Sequence, residues 1–432
     1  MTTEKDVHTI VPEVPTKRPF KASMTLIFYV MCWTAAFAYL LAYRFEKIKD
    51  IILSFNHSIA YFLGHNILAF IFAATAFVGV NYFFPYFVPV IVCIIYAVLM
   101  LCLLNMLMMS FDIILAILTV VLLFSLGYLI YFIFKNISSI ASTIKAASSL
   151  IFTNIITVLN ASILLSTVLS FQLTVIYLYI DINPFRSESF DHPLFFVSLF
   201  LHVLSASILF NFITVFVSSV IYNSYQKTGV TVSESFIIAL SSFPAIFKSA
   251  FYLSFLAVLN QYLEILLEKE RRKSDKEKNV LIIIALYVAI IILDIITRIF
   301  QEISFLIMNY IGIFGGDFDF ETSAKANQIL TFEHYQAYRN SGFSTFAYLI
   351  FMGFYGLVLY LMQEIHSIFS LWEINKYELI LRNIYDSKLS SPEIAFLSVC
   401  SFISFTSFFF ICAYNTASVA YLYAKMKNSQ HY

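Results

Sequence analysis

Long apolar runs separated by short polar stretches set the plan of this chain. They fall at Met24–Tyr43, Ile59–Tyr82, Phe87–Met109, Ile113–Phe134, Leu150–Ile180, Leu194–Tyr222, Phe236–Leu267, Val280–Phe314, Phe343–Met362 and Ile394–Tyr423. Each reaches or exceeds the roughly 20 residues that a helix needs to cross a bilayer. Hydrocarbon offers no hydrogen-bond partner, so a lipid-embedded run must close its own backbone bonds as a helix. The turns "FFPY" and "SFD" after the second and third runs are so short that spans two to four must form antiparallel hairpins. The expected fold is an all-α polytopic membrane protein, a bundle of about ten transmembrane helices. Residues 1–22 are polar with three prolines and read as a disordered cytosolic tail, without the apolar core of a secretory signal. Residues 23–424 form the transmembrane domain, and 425–432 a short cytosolic tail.

Charge does not fix the orientation. With ten spans and both ends cytosolic, eleven Lys and Arg lie on the inner side and thirteen on the outer, against the usual inner excess. The stretch "EKERRKSDKEK" causes the imbalance. Were the seventh run not to cross, the tally would become sixteen inside and eight outside. Pro244 and Lys248, read as mid-segment and kinking, give that alternative some footing.

Composition agrees with the membrane reading: 60% hydrophobic, 18% aromatic and only 12% charged, against roughly 25% charged in a soluble domain. The net charge is zero, which gives no reason to expect a nucleic-acid partner. The five cysteines lie inside apolar runs without zinc-ligand spacing, so neither a metal site nor a disulfide framework is expected. No phosphate-binding glycine loop, nucleophile elbow or His-Glu-x-x-His pair occurs. An enzyme is therefore not expected, nor a cofactor. Asn56–Ser58 matches a glycosylation triplet close to the membrane, and Asp112 reads as an interfacial turn residue.

Four stretches, in order, resemble the choline transporter-like family, particularly its fungal branch. "YLIYFIFKNISSIASTIKAASSLIFTNIITVLNASI" follows two apolar hairpins, where the family has a basic stretch and a small-residue-rich segment. "ILFNFITVFVSSVIYNSYQKTG" is similar to its aromatic helix, with Ile221 and Tyr222 standing where the family has Trp-Tyr. "SSFPAIFKSAF" matches through Ser242, Phe247 and Ser249, with Lys248 in place of a glycine. "MNYIGIFGGDFDFETSAKA" matches through Tyr310, Ile311, Gly316, Ser323, Ala324 and Lys325. The resemblance implies ten spans with both termini cytosolic. It further implies a carrier, most naturally of the plasma membrane, that moves choline or a similar small organic cation by alternating access. A non-transporting protein with the same fold, acting in lipid handling or as a scaffold, is the competing reading.

Asp294, Arg298 and Glu302 sit within the eighth apolar run at steps of four. Successive members turn by about 40°, so they share one helix face. A charge at a helix centre costs at least about 2.5 kcal/mol on insertion scales and usually faces the bundle interior. Two roles fit. The three form a structural ion pair, with Lys248 as a possible fourth member, or the surplus carboxylate of Asp294 or Glu302 meets a cationic substrate. Since aromatic faces recognise quaternary ammonium groups, Tyr222, Tyr252 and Trp33 are the candidate aromatic contacts. Only one other tryptophan, Trp372, is present. The ten-span arrangement makes a direct prediction. Single cysteines at 273 and 325 label from opposite sides of the membrane, and labelling of 227 and 273 from one side would exclude it.

Overall fold

A computed structural model describes residues 23–54, 57–109, 113–180, 193–273, 279–340, 343–367 and 391–429. The regular elements among them are all helices. In chain order they are α1 (Met24–Tyr43), α2 (Phe45–Ser54), α3 (His57–Phe83), α4 (Phe87–Met109), α5 (Ile113–Thr153), α6 (Ile155–Ile180) and α7 (Pro193–Gln226). There follow α8 (Val232–Ser241), α9 (Phe243–Arg272), α10 (Val280–Phe314), α11 (Phe320–Asn327), α12 (Glu333–Asn340), α13 (Phe343–Ser367) and α14 (Ser391–Ser429). Residues 1–22, Asn56, Asp112 and Trp372 lie outside the described residues.

Nine of these helices are long and apolar enough to cross a membrane: α1, α3, α4, α5, α6, α7, α9, α10 and α14. The protein is thus an all-α polytopic membrane protein. The remaining expected span corresponds to α13, whose described apolar stretch, Phe346–Met362, is shorter. It follows α12 along α14 in a readable register. His334 meets Lys425, Tyr338 bonds Asn415, Phe343 packs on Tyr414 and Phe351 on Phe410. From Lys425 to Phe410 is about 22 Å of helix at 1.5 Å per residue. The polar α12 therefore lies beside the buried part of the bundle, with α13 continuing antiparallel to α14.

Several boundaries differ from the sequence expectation, each for a local reason. The stretch 135–149, which lies between the fourth and fifth expected spans, is part of α5. It contains no glycine or proline, and Ile133, Ile140, Ile144, Ala147 and Ile151 repeat on one fully buried face while Lys135 and Lys145 stay exposed. Most of its polar side chains ride on the outside of an amphipathic helix, while Thr143 and Ser148 are buried. Pro244 does not kink a helix. Ser242 separates α8 from α9, and Pro244 occupies the first turn of α9, where a missing N–H costs nothing. At thirty residues, α9 alone has the length of a full crossing. The expected tail from residue 425 is helical as far as Ser429.

α14 is the centre of the packing. Phe409 to Tyr414 are six consecutive residues, each at most 4% exposed, so the helix is surrounded there on every side. Phe77 on α3 meets the rings of Phe351, Phe410 and Tyr414 edge-on. A second cluster joins Leu40, Ile51, Val175, Leu178, Ile394 and Val399, fastening α1 and α2 to the start of α14. Within lipid, apolar contact alone gives neighbouring helices little reason to associate, because the tails are equally apolar. Close backbone approach and polar pairing between helices supply it instead. The α7, α9 and α10 group shows both. Asn211 donates to Ser249 Oγ at 3.2 Å, and Ser249 shares a hydrogen bond with Ser304.

The closest approach in that group is at Gly312. A Cβ there would stand 1.9 Å from Ser218 Oγ and 2.4 Å from the Val215 carbonyl oxygen. The backbone oxygen cannot rotate away, so only glycine lets α10 cross α7 at this separation. Gly312→Ala is expected to cost about 1–3 kcal/mol by overpacking and to lower the melting temperature in detergent. A Cβ at Gly353 meets nothing within 4 Å, so Gly353→Ala is the matched control and should be neutral or slightly stabilising. Equal melting of the two variants would contradict the tight crossing.

Candidate functional site

The three charges of α10 do not act as one triad. Arg298 Nε binds Asp294 Oδ2 at 2.9 Å, and both side chains are substantially exposed on the isolated molecule. Glu302 instead accepts the hydroxyl of Tyr335, which α12 brings across from the other side of the cavity. Helix geometry explains the division. At 3.6 residues per turn each step of four overshoots a full turn by about 40°, so two such steps swing the side chain by about 80°. Glu302 thereby turns toward α12 while Asp294 and Arg298 remain a local pair.

Glu302 lines a cavity of about 470 Å³ between α7, α10, α12 and α14. Phe210 and Phe305 supply apolar wall, Tyr335 and Tyr338 supply phenol rings, and Arg298, Arg339 and Asn415 complete the polar side. Tyr335 and Tyr338 are each 3% exposed, so their rings are fixed by packing. Tyr338 donates to Asn415 Oδ1 at 3.0 Å, which holds α12 against α14. At the start of α12, His334 is bracketed by two helices: Nδ1 faces the Ser139 hydroxyl and Nε2 stands 3.3 Å from Lys425 Nζ. An ammonium can only donate, so Nε2 accepts and the proton of the neutral ring sits on Nδ1. Burial, and then the charge of Lys425, hold His334 below its ordinary value, with Glu333 acting in the opposite direction.

The other sequence candidates lie elsewhere. Tyr222 is wholly buried with its ring edge on Phe314 and its hydroxyl without a hydrogen-bond partner. Tyr252 is 46% exposed and touches the ring of Phe300. Trp33 lines a different, almost wholly apolar cavity of about 410 Å³, together with Tyr29, Ile176, Leu201 and Phe247. The three do not converge on Glu302. Lys248, expected as a fourth member of the charged group, donates to the Phe318 carbonyl at 3.2 Å and lies 5.8 Å from the centre of that ring. It is a helix-to-loop tie and pairs with neither Asp294 nor Glu302.

Tyr335, Tyr338, Arg339 and Asn415 were not legible as site residues. "EHYQAYRN" is polar enough to pass for a solvated connection, and the one available signal was the pair of tyrosines three apart, which puts both on a single helical face. No protein-family model and no curated protein matches the chain.

The His334 contacts predict a pH dependence. Because the folded-state value lies below the unfolded one, protonation is disfavoured by folding. The contribution is complete above the unfolded value of about 6.5 and is lost as pH falls through the lower folded value. Hydrogen exchange of α12 should therefore accelerate on acidification across that window, and His334→Gln should flatten the response. An unaltered pH profile in that variant would remove His334 from the explanation.

Proposed function

We propose that this chain is a multi-pass membrane transporter of the choline transporter-like type, moving choline or a similar small organic cation by alternating access. The observation that carries the reading is the half-buried carboxylate of Glu302, held in an apolar helix and facing an aromatic-walled cavity. A quaternary ammonium offers no hydrogen to donate, and an anion beside aromatic faces is the arrangement that recognises it. Ionisable groups on membrane helices that face cavities mark substrate paths far more often than lipid contacts. Four ordered sequence stretches resembling the family support the same reading. Location in the plasma membrane belongs to this proposal.

The roles divide by geometry. Glu302 holds the cation, Tyr335 and Tyr338 flank it, and Asp294 neutralises Arg298 so that the guanidinium does not repel the ligand. Access from either side requires α12 to move relative to α10 and α14, since Tyr335 and Tyr338 tie it to both. The apolar cavity beside Trp33 favours a second reading, in which the same fold handles a lipid chain. Its lining has no charged side chain for an ammonium to meet.

Purified protein in liposomes separates the two. Saturable choline uptake is expected, falling more than about tenfold in Glu302→Gln, as for loss of a charged partner worth 2 kcal/mol or more. Asp294→Asn should chiefly lower thermal stability by leaving Arg298 unpaired. Normal uptake by a folded Glu302→Gln variant would overturn the assignment.

A further inference from the structure

The carrier reading uses one charge of the cavity and leaves another without a task. Arg339, in the last turn of α12, lines the same cavity as Glu302. It makes no hydrogen bond or ion pair among the described residues, although Glu302 lies near enough to feel its charge. Arg298 differs in this respect, because Asp294 already neutralises it at 2.9 Å. A guanidinium carries five donors in a planar fork shaped for a carboxylate or phosphate. Arg339 is exposed, so its fork is open to a ligand entering the cavity that it lines.

Glu302 and Arg339 have opposite sign and stand on different helices. A bare cation would satisfy Glu302 while bringing a like charge toward Arg339. A ligand with an ammonium at one end and an acidic group at the other satisfies both. We propose that Arg339 is an anion subsite, and that the preferred substrate is a small zwitterion joining a quaternary ammonium to a carboxylate or phosphate. This rests on the carrier reading and narrows its substrate class. Gln301 and Asn415, which line the same space, add neutral groups able to bond the acidic end.

Competition in proteoliposomes tests it, using radiolabelled choline against glycine betaine and phosphocholine as probes of the two acidic groups. One zwitterion is expected to bind at least about tenfold more tightly than choline, the value of a charge-assisted hydrogen bond. The carboxylate and phosphate arms identify which group Arg339 prefers. Arg339→Gln should remove that preference and tighten choline binding, since a like charge has gone, while Arg339→Lys should retain part of it. Arg339 is exposed and lines the cavity, so the variants are expected to fold, and melting curves check that they do. Choline uptake that depends on Glu302 without any zwitterion preference would overturn this proposal and leave the carrier reading standing. A zwitterion preference unchanged in Arg339→Gln would overturn it as well. No saturable uptake of any of the three would overturn both.

Discussion

A carboxylate on a helix surrounded by hydrocarbon has to find its partner inside the protein, and this constraint on Glu302 organises the surrounding structure. Asp294 and Arg298 satisfy one another locally, four residues apart on α10. That leaves Glu302 without a local cation, and its answer comes from another element. Tyr335 on α12 donates to it, which places a short polar helix against α10 and α14. Tyr338 and Arg339 follow from that placement, because they lie on the same two turns of α12 as Tyr335, and all three line the cavity. A connection that was free to remain in solvent would have brought none of them in.

The same scarcity of partners explains how the long helices pack. With lipid as apolar as the side chains, specificity comes from small residues and from hydroxyl and amide pairs. Gly312 admits α7 to backbone contact with α10, and Asn211, Ser249 and Ser304 link the three-helix group a few turns away. Tyr414 does the equivalent work for α14, bonding Ser148 on α5 while its ring meets Phe77 and Phe343. These contacts make a firm frame around α14. α12 joins that frame by burying Tyr335, Ala337 and Tyr338 and adds polar contacts to α10 and α14 through the two tyrosine hydroxyls.

What the sequence disclosed and what it concealed follow from the same physics. Apolar run length is a direct consequence of bilayer thickness, so the long helices were legible to within a turn or so at most ends. The polar continuation of α5 was not, because its buried face is a sparse stripe of isoleucine and alanine within a stretch rich in serine. Pro244 illustrates a different limit: a proline inside an apolar run marks either a kink or a helix start, and only Ser242 ending α8 distinguishes them. Glu302 was legible because charge is rare in such a run. Its surroundings were hidden in "EHYQAYRN", where hydropathy signals solvent and only tertiary contact reveals burial. Tyr222, Tyr252 and Trp33 could not be sorted from sequence, since 48 phenylalanines and 28 tyrosines leave aromatic identity almost without information.

On the carrier reading, one further consequence lies in the Tyr335 contact. The group that would hold a cation is already occupied by a hydrogen bond from α12. A ligand ammonium and the Tyr335 hydroxyl then compete for one carboxylate, and whichever wins biases where α12 sits. A hydrogen bond to a charged group contributes about 1.5–3 kcal/mol, a difference that an ion pair partly shielded from water can match. Ligand binding and helix position are thereby linked through a single oxygen atom. A ligand shifts a conformational equilibrium only by its difference in affinity between the states, and here that difference has an identifiable source. Loss of Tyr335 from Glu302 would still leave α12 tied through Tyr338 to Asn415 and through His334 to Ser139 and Lys425. The movement would then be a pivot about those remaining ties, with Arg339 and the cavity wall carried along, and not a release of the whole helix.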